Sequence, residues 1–268
     1  MMRKYLWSMV TLFGLILLIS AASQAAVVGS FTQVQGQVDL LKQGKLPAVP
    51  AKVRDGVEPG DTVRTKSKSR AQIKFVDDTT LTLAPESRIT VADYLYNEAQ
   101  GQRRAVLRVF RGLVHTVVTR LLQTQEPEFI METHTAVLGV RGTDWYTLLR
   151  PNFTSVYLLK GLMDAKSSLA TLPAVLSLMP MHFTQVLMGE QPRLAKPITP
   201  AMLEMLQHLM DTGLQEGTLL GSGAFFGEGP EGSEFKLPVS PDQMTQPVIP
   251  PTLTQPAAPP VQKERGPQ

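Results

Sequence analysis

The feature that most constrains the fold of this chain is an alternation of polar and apolar residues, which persists over residues 27–166. Residues 70–75 alternate strictly, and the alternation resumes over residues 80–83 after Asp77 and Asp78. A period of two places all the apolar side chains on one face of an extended strand. Aspartates bond their own backbone and tolerate the left-handed conformation of tight turns. The pattern therefore predicts a β-hairpin here and an all-β fold around it.

Further strands are predicted where Val, Thr, Leu and aromatic residues cluster. These segments are residues 88–95, 104–110, 113–118, 129–133, 144–149, 154–159 and 183–188. A glycine inside a strand pattern indicates a bulge or a sharp bend. We therefore expect Gly36, Gly112 and Gly161 to turn the chain between consecutive short strands. Their unequal spacing argues against a regular solenoid, which repeats at a fixed period.

Residues 137–145 read VLGVRGTDW and lie among the predicted strands. This run resembles the Val-Arg-Gly-Thr-aromatic core of the FecR domain, an extracytoplasmic module first defined in the ferric-citrate regulator, and the resemblance extends over residues 36–167. It implies an irregular fold of the β-helix or β-coil kind. The family usually has glycine where Asp78 stands, so this hairpin turn departs from the family pattern. In the regulator, the domain receives a signal from an outer-membrane transporter.

The N-terminal residues have the layout of a signal peptide. Arg3 and Lys4 precede a mostly apolar stretch over residues 6–19, which is shorter than the roughly 20 residues that span a bilayer. Small residues at Ser23 and Ala25 indicate cleavage after Ala25, so we expect an exported protein of the periplasm or the extracellular space. The alternative is an uncleaved anchor, which would make the protein a membrane-tethered periplasmic sensor. The short stretch before the apolar residues predicts that the regulator's cytoplasmic sigma-factor segment has no counterpart here.

Four segments are predicted along the chain: a signal peptide at 1–25, a FecR-like β domain at 26–192 with its core at 36–167, a helical segment at 193–219, and a disordered Pro/Gly-rich tail at 220–268. The composition of the tail buries too little apolar surface to offset the entropy of ordering. The chain has no cysteine, which excludes disulfides and a cysteine-attached lipid. Without the two basic residues of the leader, 24 of the 26 Lys and Arg residues remain against 23 acidic ones, so the net charge predicts no nucleic-acid partner.

One short α-helix is predicted beyond the strands. Thr199 suits the N-cap, Pro200 suits the first helical position, and Gly213 closes the element. An apolar stripe lies between them, made of Met202, Met205, Leu206, Leu209 and Met210. We favour a helix packed on the sheet, because such stripes are usually buried. The alternative is a methionine-rich face that docks a partner.

Arg141, Gly142, Thr143 and Trp145 form the candidate binding or structural motif. The Arg141 guanidinium could hold a carboxylate or a phosphate of a partner. We favour the structural alternative, in which Arg141 folds back onto carbonyls or an acidic neighbour at a bend that Gly142 permits. Trp145 is expected to pack in the core rather than to stack on a sugar ring. The same two alternatives apply to Tyr94, Tyr96, Tyr146 and Tyr157.

A second candidate is a basic face. Arg64, Lys66, Lys68 and Arg70 recur at every second position, so an extended chain would carry all four on one side. Such a face could engage an anionic lipid or an envelope polymer. We favour a solvated loop, or an edge strand whose charges prevent aggregation.

No catalytic residue, metal site or cofactor is predicted, because the histidines are scattered and share no motif spacing with carboxylates. The predicted fold is an all-β, irregular β-helix-like or β-coil-like FecR domain, followed by one short α-helix and a disordered Pro-rich tail. The predicted function is that of a non-enzymatic exported scaffold or signal-sensing module that binds a protein of the bacterial envelope. The alternative is binding to a glycan, to peptidoglycan or to an anionic surface.

Overall fold

The computed structural model describes residues 26–100, 102–119, 129–169 and 174–214. The predicted signal peptide and the predicted Pro-rich tail lie outside these residues. The described part contains fifteen strands and one α-helix, which confirms the prediction of an all-β fold with a single short helix.

The strands are β1 (Gly29–Gln35), β2 (Val38–Leu41), β3 (Val49–Pro50), β4 (Gly56–Val57), β5 (Thr62–Thr65), β6 (Arg70–Phe75), β7 (Thr80–Leu83), β8 (Arg88–Asn97), β9 (Gln102–Val117), β10 (Phe129–Glu132), β11 (Ala136–Arg150), β12 (Phe153–Ser167), β13 (Leu176–Leu178), β14 (His182–Leu187) and β15 (Lys196–Pro197). The helix is α1 (Pro200–Thr212), and short 3-10 turns occur at Lys42–Gly44 and Glu98–Gln100.

All the strands belong to one hydrogen-bonded network that coils around a shared core. Its main path runs β15-β14-β12-β11-β10-β9-β7-β6-β1-β4, with β8, β5, β2, β3 and β13 attached beside it. Among the described strands, only β9 and β10 pair in parallel. The antiparallel pairing distinguishes this irregular coil from a parallel solenoid, in agreement with the unequal spacing of the glycines.

The long strand β9 changes partners along its length. Its first part pairs with β8 and β10, whereas residues 112–117 pair with β7 and β11. Gly112 lies at the change, with φ of 102°. Glycine adopts this backbone conformation without the steric conflict that a side chain would bring. The bend therefore passes one strand from one part of the coil to the next.

The three predicted bend glycines differ in what they do. Gly36, with φ of 72°, turns the chain between β1 and β2, as predicted. Gly112 and Gly161, with φ of 102° and 90°, lie inside the continuous strands β9 and β12. The prediction of separate short strands around these two glycines is therefore wrong, because hydrogen bonds to neighbouring strands continue on both sides of each bend.

The predicted hairpin is present as β6 and β7. Asp78 adopts the left-handed conformation with φ of 63°, and the Phe75 amide donates to the Thr79 carbonyl at 2.8 Å. Inward-facing residues of the hairpin, including Ile73 and Leu81, are fully buried. The alternation that predicted this hairpin thus also places its apolar side chains in the core.

The helix begins and ends as predicted. The Thr199 hydroxyl accepts a hydrogen bond from the Met202 amide at 3.3 Å, and Gly213 follows the last helical residue. Leu206, Leu209 and Met210 are buried, which supports the favoured interpretation of a helix packed on the sheet. Within the described residues, no helix has the length and apolar character needed to cross a membrane.

Candidate functional site: a basic groove around Phe110

The Val-Arg-Gly-Thr motif lies where β11 and β12 bend together. Thr143 is buried, and its hydroxyl donates to the Leu162 carbonyl at 3.1 Å and accepts from the Arg141 amide at 3.1 Å. Gly142 has φ of 57°, and a Cβ added at Gly161 would overlap the Gly142 carbonyl oxygen. These residues stabilise a close approach of two paired strands at an irregularity in their pairing, so this part of the motif is structural.

The Arg141 side chain behaves differently. It is exposed, and its guanidinium forms no hydrogen bond or ion pair with the residues that the structure describes. The predicted fold-back onto carbonyls or an acidic neighbour is therefore not found. Arg141 instead borders a shallow cavity of about 120 Å³ with Leu162, which is 62% exposed, and Asp164.

The aromatic residues considered for sugar stacking lie mostly in the interior. Trp145 is fully buried, donates from Nε1 to the Thr147 hydroxyl at 2.9 Å, and meets Phe129 edge-on. Tyr157 is fully buried against Phe183. Tyr94 and Tyr146 are also buried, and Tyr96 is half-buried. Among these residues, only Tyr96 is partly exposed, and the others offer no surface on which a sugar ring could stack.

The predicted basic face does not form. Lys68 adopts a left-handed turn conformation with φ of 53° between β5 and β6, so the chain is not extended from Arg64 to Arg70. Arg70 turns toward α1, where its guanidinium donates to the Met210 carbonyl and contacts Asp211. The expectation of one continuous face is therefore wrong, because the turn at residues 66–69 divides it.

Arg64 and Lys66 pair with Asp39. The Asp39 carboxylate lies 2.5 Å from the Arg64 guanidinium and 3.1 Å from Lys66 Nζ. The hydrogen bond from Arg64 lowers the pKa of Asp39 below its usual value, against the opposing effect of burial. The two basic side chains also line a groove that faces solvent.

This groove lies between the ends of β5, β8 and the bend of β9. Its first arm has a volume of about 760 Å³ and is lined by Gln37, Arg64, Thr65, Lys66, Ser67, Glu86, Ser87, Arg88, Phe110 and Arg111. A second arm of about 290 Å³ is lined by Glu86, Phe110, Arg111, His134, Leu149, Arg150, Pro151 and Leu214. Because both arms share Glu86, Phe110 and Arg111, Phe110 stands between them. We call the two arms together the Phe110 groove.

Hydrogen bonds around Ser87 hold the floor of the groove. The Ser87 hydroxyl donates to the Leu113 carbonyl at 3.1 Å, and the Ser87 amide donates to the Thr65 hydroxyl at 2.9 Å. A Cβ added at Gly112 would overlap the Ser87 hydroxyl oxygen and lie 2.6 Å from Ser87 Cα. Glycine at this bend thus lets β9 approach the β7–β8 connection, with Phe110 on the outer side.

Three arginines face one another across the strands of the first arm. Arg64 pairs with Arg88 between β5 and β8, and Arg88 pairs with Arg111 between β8 and β9. Arg111 has a carboxylate partner in Glu86 at 2.8 Å, as Arg64 has in Asp39. Arg88, in the middle, has no carboxylate partner among the described residues. The row therefore carries a central cation whose charge is not balanced locally.

Phe110 is half exposed and lies beside this cation. The residue is 51% exposed, and the Arg88 guanidinium carbon stands 5.3 Å from the ring centre. A guanidinium over an aromatic face is attracted by the negative face of the ring. The contact orients Arg88 while its hydrogen-bond donors stay available to a ligand.

The alternating basic residues predict only part of this groove. The spacing of Arg64 and Lys66 singles out these two residues, but their neighbours in the groove, Arg88, Phe110 and Arg111, come from other parts of the chain. The sequence signal for two of these neighbours is the predicted bend at Gly112, which Phe110 and Arg111 directly precede. Within the described residues, no group of three or more metal-ligating side chains comes together.

Comparison with known proteins identifies the domain. Residues 61–163 match the model of the FecR protein family, and the match includes the Val-Arg-Gly-Thr motif on which the resemblance rests. Both Arg88 and Phe110 fall inside the matched residues. No curated protein matches the chain.

Two solved structures of a candidate anti-sigma factor from Parabacteroides distasonis also match. They are 16% identical to this chain, with TM-scores of 0.42 and 0.41. Each match covers 53% of this chain and 62% of the other, so this chain spans less than two thirds of that protein.

Proposed function

We propose that this protein is a non-enzymatic, exported FecR-domain protein that binds another protein of the bacterial envelope, as a scaffold or as the receiving part of a signalling system. Three observations support the proposal. The N-terminal residues have the layout of a signal peptide, residues 61–163 match the FecR family, and the domain presents an open groove. The periplasm or the extracellular space is the proposed location.

The observation that carries the proposal is the exposure of Phe110 among arginines. Aromatic residues and arginine are enriched at the energetic centres of protein interfaces. Here a half-exposed ring and the Arg88 guanidinium lie together on strands whose backbone is held by buried hydrogen bonds. A rigid site of this kind binds without a large loss of conformational entropy.

Binding to a glycan has weaker support. Sugar recognition by stacking needs exposed aromatic faces, and the Trp and Tyr side chains proposed for it are buried, apart from the half-buried Tyr96. The cationic row of the Phe110 groove could attract an anionic polymer, so purified peptidoglycan belongs in the test. If the leader stays attached, the same groove serves a membrane-tethered periplasmic sensor.

Crosslinking in cells, followed by affinity capture and mass spectrometry, tests the proposal. We expect one envelope protein to be enriched with the native chain and lost with Phe110→Ala. Leu95→Ala is the matched control, because Leu95 is 53% exposed on β8 and does not line the groove. Capture of wall fragments alone, or equal capture by both variants, contradicts the proposal. The intact mass of the processed protein decides whether cleavage occurs after Ala25.

A further inference from the structure

We propose that the Phe110 groove takes an acidic peptide segment of the partner, with a carboxylate bound by Arg88 and an adjacent apolar side chain packed on Phe110. This inference rests on the proposed function and specifies the chemistry of the partner. It is carried by the charge row of the first arm, by the exposed ring, and by the shape of the two arms.

The charge row calls for an anion at its centre. Like charges directly opposite each other on neighbouring strands are destabilising, yet Arg88 stands opposite both Arg64 and Arg111. Each outer arginine has a carboxylate partner, Glu86 for Arg111 and Asp39 for Arg64, although Asp39 also pairs with Lys66. The guanidinium of the central Arg88 contacts the Phe110 ring and has no carboxylate partner among the described residues. A carboxylate on the ligand would complete the alternation of charges and could accept two parallel hydrogen bonds from the guanidinium.

Besides the negative charge, Phe110 favours a ligand that also carries an apolar side chain. Phe110 is about half exposed, and its side chain lies where the two arms of the groove meet. An apolar side chain beside the ligand carboxylate would cover the ring and exclude water from the Arg88 ion pair. Because an ion pair is stronger where water is excluded, the two contacts reinforce each other.

The shape favours a peptide over a compact anion. The first arm extends from Phe110 toward Gln37 and Lys66, and the second extends toward His134, Leu149 and Pro151. A single phosphate or carboxylate would occupy only the part near Arg88. An extended segment would cover both arms, with its acidic part along the arginines and its apolar part against Leu149, Pro151 and Leu214.

The experiment measures the binding of two dye-labelled synthetic peptides to the exported full chain by fluorescence anisotropy. One peptide alternates Glu and Gly around a central Phe, and the other has Lys in place of every Glu. We expect the acidic peptide to bind and the basic peptide not to bind. Raising NaCl from 0.1 M to 1 M shortens the Debye length from about 10 Å to about 3 Å, so binding of the acidic peptide should weaken at high salt.

Variants locate the site. Arg88→Glu should weaken binding of the acidic peptide by at least about tenfold, the effect of about 1.4 kcal/mol, and Phe110→Ala should weaken it by a similar factor. Arg88→Lys should keep part of the affinity, since it retains the charge but loses the two-pronged geometry. Lys160→Glu and Leu95→Ala are the controls, because both residues are exposed and neither lines the groove. Both controls should bind as the native chain does.

Three results would overturn this inference. They are equal binding of the acidic peptide by Arg88→Glu and the native chain, stronger binding of the basic peptide, and displacement by inorganic phosphate as effective as displacement by unlabelled peptide. The last would indicate a simple anion site.

Capture in cells separates this inference from the proposed function. A partner protein that is lost with Phe110→Ala but kept with Arg88→Glu would preserve the function and refute the acidic chemistry. If both variants still capture the partner, the proposed function and this inference are both refuted.

Discussion

Two parts of this molecule contain the same kinds of side chain but differ in what those side chains do. Near the β6–β7 turn, Asp77 lies among Arg103, Tyr94 and Thr79, all of them buried. In the Phe110 groove, a carboxylate, arginines and an aromatic ring again come together, but Phe110 and Arg88 face solvent. We call the first group the Asp77 cluster. Comparing the two shows how exposure decides whether such a group stabilises the fold or is available to a ligand.

Inside the Asp77 cluster, the carboxylate is saturated with donors. Asp77 accepts hydrogen bonds from Tyr94 at 2.5 Å, from Arg103 at 3.1 Å, and from both the amide and the hydroxyl of Thr79 at 3.1 and 2.8 Å. A buried charge is tolerated only when it is paired and hydrogen-bonded. The cluster joins the β6–β7 turn to the β8–β9 hairpin, so its role is structural.

Removing the carboxylate of this cluster should have the largest effect on stability. Asp77→Ala leaves the buried Arg103 without this partner, and breaking a buried pair in this way costs about 3–5 kcal/mol. We expect a loss of that size in the free energy of unfolding, measured with denaturant at pH 7. Lys74→Gln is the control, because the Lys74–Asp78 pair is exposed and such pairs contribute about 0–1 kcal/mol. Equal effects of the two variants would show that the cluster does not stabilise the fold.

The next largest effect should come from the bend beneath the groove. Gly112→Ala introduces a Cβ that overlaps Ser87 in a backbone conformation that side chains rarely adopt. Strain and overpacking together predict a loss of about 2–3 kcal/mol. Gly189→Ala is matched to it, because Gly189 also has positive φ but has open space around it; a loss of only about 1–2 kcal/mol is expected there. Thermal unfolding of both variants measures the difference, and a Gly189 effect as large as that of Gly112 would rule out the steric argument.

Local patterns predicted the parts of the molecule that depend on near neighbours. The strict alternation of residues 70–75, the two aspartates and the cap at Thr199 each define an element within a few residues, and the hairpin and the helix both form as predicted. By contrast, the continuation of β9 through Gly112 depends on pairing with β7 and β11, which are separated from β9 in sequence, as well as with the preceding strand β8. A glycine in a strand pattern predicts a bend, but it does not show whether hydrogen bonds to neighbouring strands continue on both sides of that bend.

The geometry of the two candidate sites also depends on residues that are distant in sequence. The even spacing from Arg64 to Arg70 predicted a common face, but the turn at Lys68 overrides it. Arg88 and Arg111 join Arg64 only through the register of β5, β8 and β9. Likewise, Arg141 lies where the pairing of β11 and β12 shifts register around Gly142 and Gly161, which no local pattern reveals.

Two buried tyrosines allow a finer test of the cluster. The Tyr94 hydroxyl donates to Asp77, whereas the Tyr157 hydroxyl has no hydrogen-bond partner among the described residues. Tyr94→Phe should therefore destabilise the protein by about 1–2 kcal/mol, as expected for a hydrogen bond to a charged group. Tyr157→Phe removes no such bond and takes away a buried hydroxyl without a partner, so it should cause no loss of stability. Denaturant unfolding compares them, and an equal loss in both would assign the effect to packing.

The cluster should also make stability fall at alkaline pH. Burial, and then the negative charge of Asp77, raise the pKa of Tyr94 above its ordinary value of about 10. Because the pKa of Tyr94 is raised in the folded state, the stability that its protonated hydroxyl contributes is fully present below about pH 10. It is lost as the pH rises toward the folded pKa. The slope is at most about 1.4 kcal/mol per pH unit for each tyrosine. Unfolding measured between about pH 8 and pH 11 should show a shallower decline in Tyr94→Phe, and an unchanged decline would exclude Tyr94 as its source.

The smallest effect on stability should come from the groove, where the comparison with the cluster is sharpest. Arg88→Gln removes the central charge of the arginine row together with its contact to Phe110. Relief of repulsion and loss of the cation–π contact are each worth about 0.5–1 kcal/mol and oppose each other. We expect the free energy of unfolding to change by less than about 0.5 kcal/mol and to shift in the stabilising direction at low salt, where repulsion is least screened. A loss comparable to that of Asp77→Ala would show that Arg88 stabilises the fold as Arg103 does, and the groove would then lose its distinction from the buried cluster.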